Sequence, residues 1–135
     1  MNYLTKEFIN LPKLLEEFHY PKSGAIVLFT GETRNYSKEK KVLYLEYEAH
    51  EIRANKMIEE ILLEAIEKWE LHKAICIHRL GIVKPTESAV VVITSSAHRK
   101  AAFAANQFII DTVKKNVPIW KKEIYSDNSN EWKED

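Results

Sequence analysis

Apolar residues recur every three or four positions along residues 50–69. This period is typical of an amphipathic α-helix, so the stretch predicts a helix from about His50 to Trp69 with one apolar face. The residues expected on that face are Ala54, Ile58, Ile61, Leu62, Ala65, Ile66 and Trp69. Such a helix must bury its apolar stripe against other elements, and the flanking segments predict strands.

Strand-like patterns occur on both sides of this helix. The predicted strands are residues 2–9, 25–30, 42–49, 74–81, 89–94 and 119–125. A short helix is predicted after Asn10, and a second long helix over residues 97–116. We expect residues 35–41 to form a mobile polar loop. The residues after Ser126 are expected to form a polar tail. Because strands and helices are interspersed without strict alternation, we expect an α+β fold with a mixed or antiparallel sheet and two main helices.

For two of the predicted strands, the sequence also predicts which side chains are buried. Residues 25–30 are apolar on both faces, which predicts a strand buried on both sides and ended by Gly31. In residues 42–49 the side chains of Leu43, Leu45 and Tyr47 share one face, because successive side chains of a strand point to opposite sides. We expect these three to point inward.

Composition excludes several classes of protein. The 135 residues predict one domain, residues 1–135, and the 20 Lys+Arg against 20 Asp+Glu argue against a nucleic-acid partner. No apolar run approaches membrane-spanning length, and the N-terminus lacks the apolar core of a signal peptide. The single Cys76 fits a reducing compartment, so we expect a cytoplasmic protein without a membrane partner. Five scattered histidines and one cysteine show no metal-ligand spacing, which predicts no metal and no cofactor.

Three short basic islands lie where apolar segments begin or end: residues 31–35, 95–99 and 114–123. Element boundaries are where a rigid scaffold usually presents its chemistry. In a chain with no net charge, cations gathered at such boundaries indicate local recognition of a small anion.

The first two islands each leave two interpretations open. Arg34 follows Gly31 and offers a planar fork for phosphate or carboxylate, or it is an exposed arginine in a turn. Ser95 or Ser96 is expected to cap the second long helix, which puts the next basic residues in its first turn. Cations are unfavourable there unless an anion binds nearby. The alternative is a capped helix whose basic side chains reach into solvent.

The third island contains the strongest candidates. Lys114 lies in the last turn of the predicted helix, where a cation is favoured in any case. Lys121 and Lys122 point to opposite faces of the last strand, with Lys121 on the face that also carries Glu123. At least one of Lys121 and Lys122 is therefore expected to point toward a partly enclosed surface. There it can act as an acid, base or nucleophile. His78, in an apolar strand, is predicted to be a hydrogen-bonded core histidine rather than a ligand.

Taken in order, these segments resemble a known family, the large, catalytic subunit of molybdopterin synthase. The matching segments are residues 24–27, 29–31, 34–35, 45–49, 77–81, 94–99, 102–103, 108–111 with Lys114, and 117–123. The resemblance covers nearly the whole chain, and the Ser-Ala-His-Arg and Pro-Ile-Trp-Lys-Lys-Glu blocks are its most specific parts.

The resemblance implies a fold, a reaction and partners. The fold would be an α/β hammerhead domain that forms a homodimer and binds a small ubiquitin-like sulfur-carrier subunit at each far end, giving a heterotetramer. The reaction would be that of a sulfurtransferase in molybdenum cofactor biosynthesis. Sulfur would pass from the carrier's C-terminal Gly-Gly thiocarboxylate to cyclic pyranopterin monophosphate, forming the dithiolene of molybdopterin.

The resemblance also implies residue roles. Lys121 and Lys114 would be catalytic, with Lys121 as acid, base or electrostatic partner and Lys114 stabilising developing negative charge. The residues that would bind the substrate are Glu32, Thr33, Arg34, His98, Arg99, Lys114, Lys121, Lys122 and Glu123. His98 and Arg99 would come from the other protomer. Two alternatives remain open: a non-catalytic dimeric module that binds a phosphorylated metabolite or a Gly-Gly-ending partner, and a purely structural dimer.

Overall fold

The structure is a computed structural model that describes residues 1–133, so the last two residues of the predicted domain lie outside the described residues. Within residues 1–133, three helices and nine strands follow one another. They are β1 (Leu4–Thr5), α1 (Leu11–Glu16), β2 (Ala25–Glu32), β3 (Tyr36–Ser37), β4 (Lys40–Ala49), α2 (Glu51–Trp69), β5 (Lys73–Arg79), β6 (Gly81–Val83), β7 (Ser88–Ser96), α3 (Arg99–Asn116), β8 (Ile119–Tyr125) and β9 (Asn130–Lys133).

The strands form two sheets. The first has the order β1-β5-β7-β2, with β1 parallel to β5 and the other pairs antiparallel. The second has the order β3-β4-β8-β9, with β6 also paired to β4, and all of its pairs are antiparallel. The predicted α+β class, with mixed and antiparallel pairing and two long helices, is confirmed.

The core is built on both faces of β7, in which every residue is buried. Val90 and Val92 pack in a cluster with apolar residues of α2 and α3, whereas Val91 and Ile93 join a smaller cluster with Ile9 and Phe18 near α1. Alternating residues of a strand face opposite sides, so one strand supplies both clusters. The predicted inward face of α2 is correct, because Ala54, Ile58, Ile61, Leu62 and Ala65 are buried.

The expectation that residues 25–30 form a strand buried on both sides is wrong. No residue of β2 is fully buried, and Phe29 remains 36% exposed. The reason is topological, since β2 is an edge strand of the first sheet. The strand also continues past Gly31 to Glu32, with a register shift between these two residues.

The inward face predicted for β4 is only partly correct. Leu45 and Tyr47 are buried, but Leu43 is 40% exposed and Val42 is buried in its place. A register shift against β8 between Val42 and Tyr44 causes this change. A bulge inserts an extra residue, so the alternation of faces differs before and after it.

Two segments predicted to lack regular structure are strands. Residues 35–41 include β3 and the start of β4, joined by Lys38 and Glu39 at φ values of +49° and +66°. Consecutive left-handed residues suit a two-residue hairpin turn, but Gly or Asn usually mark it in the sequence. The polar tail after Ser126 forms β9, which pairs with β8. In residues 1–133 no helix is long and apolar enough to cross a membrane.

Asn106 joins α3 to the first sheet. Its Nδ2 donates to the carbonyl oxygens of Val27 and Val92, both at 3.0 Å, and the residue is buried. Alanine at this position would leave these carbonyls without that donor, and an unmet buried hydrogen bond costs about 1–3 kcal/mol. We expect Asn106→Ala to lower the free energy of unfolding by about 2 kcal/mol in urea titrations. Asp111→Ala, on an exposed position of the same helix, should change it by less than about 0.5 kcal/mol; equal effects would contradict the prediction.

Candidate active site

A pocket of about 220 Å³ lies where the end of β2 meets β4, β7, β8 and the end of α3. Five of the residues singled out in the sequence line it: Glu32, Arg34, Lys114, Lys121 and Glu123. They come from three separate parts of the chain, so the fold brings together cations from the first and third basic islands. Three cations and two carboxylates make the pocket wall highly polar, with an excess of positive charge.

Lys114 and Lys121 are positioned by consecutive elements. Lys114 lies in the last turn of α3, and the amide of Val117 closes that helix by donating to the carbonyl of Val113 at 3.1 Å. Strand β8 begins at Ile119 and pairs with β4, which places Lys121 opposite Tyr47. The end of α3 and the start of β8 therefore place Lys114 and Lys121 in the same pocket.

Lys121 and Lys122 point to opposite faces of β8, as the alternation of a strand requires. Lys121 lines the pocket, and Lys122 does not. The Lys122 Nζ lies 3.9 Å from a carboxylate oxygen of Glu46 and 5.2 Å from the ring centroid of Trp132. Lys122, which the family resemblance places near the substrate, thus lies on the other side of the sheet in this chain.

Thr33 anchors the segment that carries Arg34 rather than lining the pocket. It is buried, and its amide donates to the carbonyl of Glu87 at 3.1 Å. Its own carbonyl accepts from the amide of Thr86 at 2.9 Å, and Arg79 lies 3.8 Å from the Glu87 carboxylate. These contacts tie the end of β2 to the turn before β7 and so fix where the Arg34 segment leaves the sheet.

Glu123 is a buried carboxylate at the pocket wall. It is 6% exposed, and its Oε1 accepts a hydrogen bond of 2.8 Å from the hydroxyl of Tyr125. The Nζ of Lys133 lies 3.9 Å from the same oxygen. Burial, followed by the bonds to the carboxylates of Glu123 and Glu131, raises the pKa of Tyr125 well above its usual range. The tyrosine therefore remains a hydrogen-bond donor at neutral pH.

His98 and Arg99 do not reach this pocket within one chain. They lie at the start of α3, and Lys114 lies near its end; at 1.5 Å per residue, Arg99 and Lys114 are about 22 Å apart along the axis. Arg99 instead borders an open groove of about 910 Å³ together with Phe29 and Phe103.

The cap of α3 also differs from the sequence prediction. His98 is the N-cap residue and makes no side-chain capping bond, and neither Ser95 nor Ser96 has that role. The hydroxyl of Ser96 donates to the carbonyl of His98 at 2.5 Å instead. The helix begins later than expected because β7 continues through Ser96.

The pocket contains three polar residues that were not selected from the sequence as site residues: Tyr36, Tyr47 and His78. His78 is buried as expected, and its Nδ1 lies 2.7 Å from the carbonyl oxygen of Arg79. That contact requires the proton on Nδ1, because a carbonyl only accepts. The Tyr47 ring meets the imidazole edge-on, with centroids 4.9 Å apart. The inward positions of Tyr47 and His78 were predicted from the sequence, but no local signal indicated that they border a pocket, and Tyr36 is 55% exposed.

Neither a metal nor the cysteine offers a reactive centre in the described chain. No group of three or more His, Cys, Asp or Glu within residues 1–133 could hold a metal ion. Cys76 is fully buried, and burial raises the pKa of its thiol to about 12. A thiol must ionise to act as a nucleophile, so Cys76 is inert near neutral pH.

The fold and the site define a class: an α+β protein with a pocket suited to binding a small anion and to acid–base chemistry by lysine. The family model described as MoaE protein matches residues 4–116. The molybdopterin synthase catalytic subunit of Bacillus subtilis is 43% identical over 92% of this chain and 79% of that protein. The molybdopterin synthase catalytic subunit of Thermoplasma volcanium is 41% identical over 96% of this chain and 94% of that protein.

A solved structure agrees. Molybdopterin synthase from Staphylococcus aureus superposes with a TM-score of 0.91 at 38% identity, covering 98% of this chain and 96% of the other. The chain therefore belongs to the MoaE protein family, and the α/β hammerhead fold implied by the resemblance is confirmed. Its function is that of the catalytic subunit of a molybdopterin synthase.

Proposed function

We propose that the pocket transfers sulfur from the C-terminal Gly-Gly thiocarboxylate of a small ubiquitin-like carrier subunit to cyclic pyranopterin monophosphate. The observation that carries the proposal is the convergence of Lys114, Lys121 and Arg34 in one pocket. Two transfers are needed, since the dithiolene product contains two sulfur atoms. In each transfer the thiocarboxylate sulfur bonds to a substrate carbon and an oxygen substituent leaves that carbon. Water then cleaves the acyl–sulfur bond, so the carrier leaves as a carboxylate and the sulfur stays on the substrate.

The inert cysteine supports an external sulfur donor. Because the pKa of the buried Cys76 thiol is about 12 and no other cysteine exists in the sequence, the chain has no thiolate of its own to carry sulfur. A thiocarboxylate is ionised and already activated, so the protein has to position it and handle protons. The single, free cysteine also fits the cytoplasmic setting that we propose.

Each of the three cationic side chains has a different role in the proposed reaction. Arg34 presents a planar guanidinium, which suits the phosphate or a carboxylate of the substrate through paired hydrogen bonds. Lys121 is the proton donor and acceptor at the reacting atoms, since an amine can change its protonation state whereas a guanidinium does not. Lys114, from the helix end, stabilises the negative charge that develops during transfer.

The size of the pocket supports a site shared between two protomers. At about 220 Å³ it is smaller than the roughly 300–1,000 Å³ that usually encloses a ligand of this class. We propose a homodimer in which the partner supplies His98 and Arg99 to complete the site. The groove beside Arg99 carries Phe29 and Phe103, which is 61% exposed, and such apolar surface suits a contact between chains. With a carrier on each protomer, the assembly is a heterotetramer.

A single-turnover assay tests the function. The purified protein is mixed with thiocarboxylated carrier and cyclic pyranopterin monophosphate, and the dithiolene product is measured alongside Lys121→Arg. We expect product from the parent protein and a loss of about 10²-fold or more in the arginine variant, because general acid–base catalysis typically contributes that much. Full turnover by Lys121→Arg would show that only the positive charge at this position matters and would contradict the acid–base role of Lys121. Carrier binding without any product from the parent would contradict the proposal.

A further inference from the structure

A group of polar and charged side chains joins the C-terminal strand to the pocket. We call it the C-terminal charge network; its members are Glu123 and Tyr125 of β8, and Glu131 and Lys133 of β9. Glu123 lines the pocket, and the other three do not. The family model ends at residue 116, so β9 lies beyond the part of the chain that it matches. Nothing in the sequence pattern of the tail indicated a link to the site.

The register of the second sheet brings the network together. In the β8–β9 ladder, Glu123 lies opposite Glu131, and Lys121 lies opposite Lys133. Residues directly opposite in antiparallel strands share a face, so Lys133 lies on the pocket side of the sheet with Lys121 and Glu123. The side chain of Lys133 is only 14% exposed, although it belongs to the last described residue of the chain.

The hydrogen bonds show why the lysine is needed. The Tyr125 hydroxyl lies 2.8 Å from Glu123 and 3.2 Å from Glu131, but it has one proton and can donate to one carboxylate at a time. The Nζ of Lys133 lies 3.9 Å from Glu123 and 3.3 Å from Glu131, and so it supplies positive charge to both. Without Lys133, the buried Glu123 carboxylate would have to share the one Tyr125 hydroxyl proton with Glu131, which is 54% exposed.

A buried carboxylate is costly unless it is paired and hydrogen-bonded. Glu123 meets this requirement through Tyr125 and Lys133, which lie further toward the C-terminus. Its carboxylate is two residues from Lys121 on the same face of β8, so its position and charge set the surroundings of the lysine amine. A change at Lys133 would thus reach the pocket through Glu123.

We propose that Lys133 is a positioning residue for sulfur transfer, holding the Glu123 carboxylate in place beside Lys121, so that strand β9 is part of the active-site architecture. The inference rests on the proposed function and adds a residue to it. Lys133 does not contact the reacting atoms. It acts through Glu123, and this dependence is what an experiment can detect.

A double-mutant cycle tests the dependence. Single-turnover rates are measured for the parent, Lys133→Met, Glu123→Gln and the double variant. We expect Lys133→Met to slow transfer on the order of tenfold, the size of coupling within one charge network. In the Glu123→Gln background the same change should have no further effect, since its target is already gone. Lys133→Arg should restore the rate to within about threefold of the parent, because the charge returns.

Two controls separate a positioning role from a loss of structure. Lys68→Met removes a surface charge from α2, where the amine lies 4.7 Å from the Trp69 ring centroid, and should keep the parental rate. Tyr125→Phe removes the other partner of Glu123; if Lys133→Met unfolds at the assay temperature, this variant replaces it in the same cycle. Its rate should also fall severalfold alone and not at all with Glu123→Gln.

The outcomes are distinct. A parental rate in Lys133→Met, or losses that multiply in the double variant, would overturn the positioning role while leaving sulfur transfer intact. A parent protein that gives no product would overturn the proposed function and the inference with it. Loss in the single variant, no further loss in the double variant, and recovery with arginine would support the inference.

Discussion

Lys121→Ala is expected to remove nearly all dithiolene formation, lowering the single-turnover rate by about 10²–10⁴-fold. The lysine is half-buried at the pocket wall, on the face of β8 that also carries Glu123. Alanine leaves no group at this position that can give or take a proton. The loss should appear in the rate of transfer more than in the affinity for the proposed carrier, because the contact area of a protein partner would extend well beyond one side chain.

Lys115→Ala is the matched control for this prediction. Lys115 lies in the same last turn of α3 as Lys114, is exposed, and is absent from the pocket lining. It should retain the parental rate, which separates the loss of a pocket lysine from a general loss of positive charge. Full turnover by Lys121→Ala, with the variant folded by circular dichroism, would contradict the assignment of the acid–base role.

A heterodimer of two inactive chains is expected to regain activity. Arg99→Ala and Lys121→Ala homodimers should each lose transfer, since every site in them lacks one essential side chain. In a heterodimer, one site combines the intact Lys121 of the first chain with the intact Arg99 of the second. Its activity should therefore be about half that of the parent dimer, because one of two symmetric sites is complete.

The experiment uses two differently tagged chains that are expressed together and purified through both tags. The experiment can distinguish a shared site from two separate sites because α3 holds Arg99 and Lys114 of one chain about 22 Å apart. If one chain supplied all of these residues to its own site, every site in the heterodimer would carry a substitution. No recovery above the two homodimers would then be seen, and the shared site would be wrong.

Local patterns in the sequence predicted the elements that depend on local physics. The period of residues 50–69 identified α2 and its buried face, since the spacing of side chains around a helix does not depend on the rest of the fold. Alternation in β8 likewise separated Lys121 from Lys122. These geometries follow from backbone dihedral angles alone.

Predictions failed where a distant strand decided the outcome. The bulge in β4 that buries Val42 and exposes Leu43 arises from pairing with β8, far along the chain. The partial exposure of Phe29 follows from the edge position of β2, which no local window contains. In both strands the apolar residues are where the sequence has them, but the pairing of the sheet determines which of them are buried.

In the candidate site, too, some features follow from local sequence and others from the packing of distant segments. Residue type and position along the chain were enough to identify Arg34, Lys114 and Lys121 as suited to an anion and to proton transfer, each at the end or start of an element. The packing of distant elements brings these three together, adds His78 and Tyr47 to the pocket, and places Lys133 beside Glu123. Residue type and local conformation are properties of short segments. Burial of charge and convergence at a pocket depend on which distant segments pack together, and that choice belongs to the whole chain.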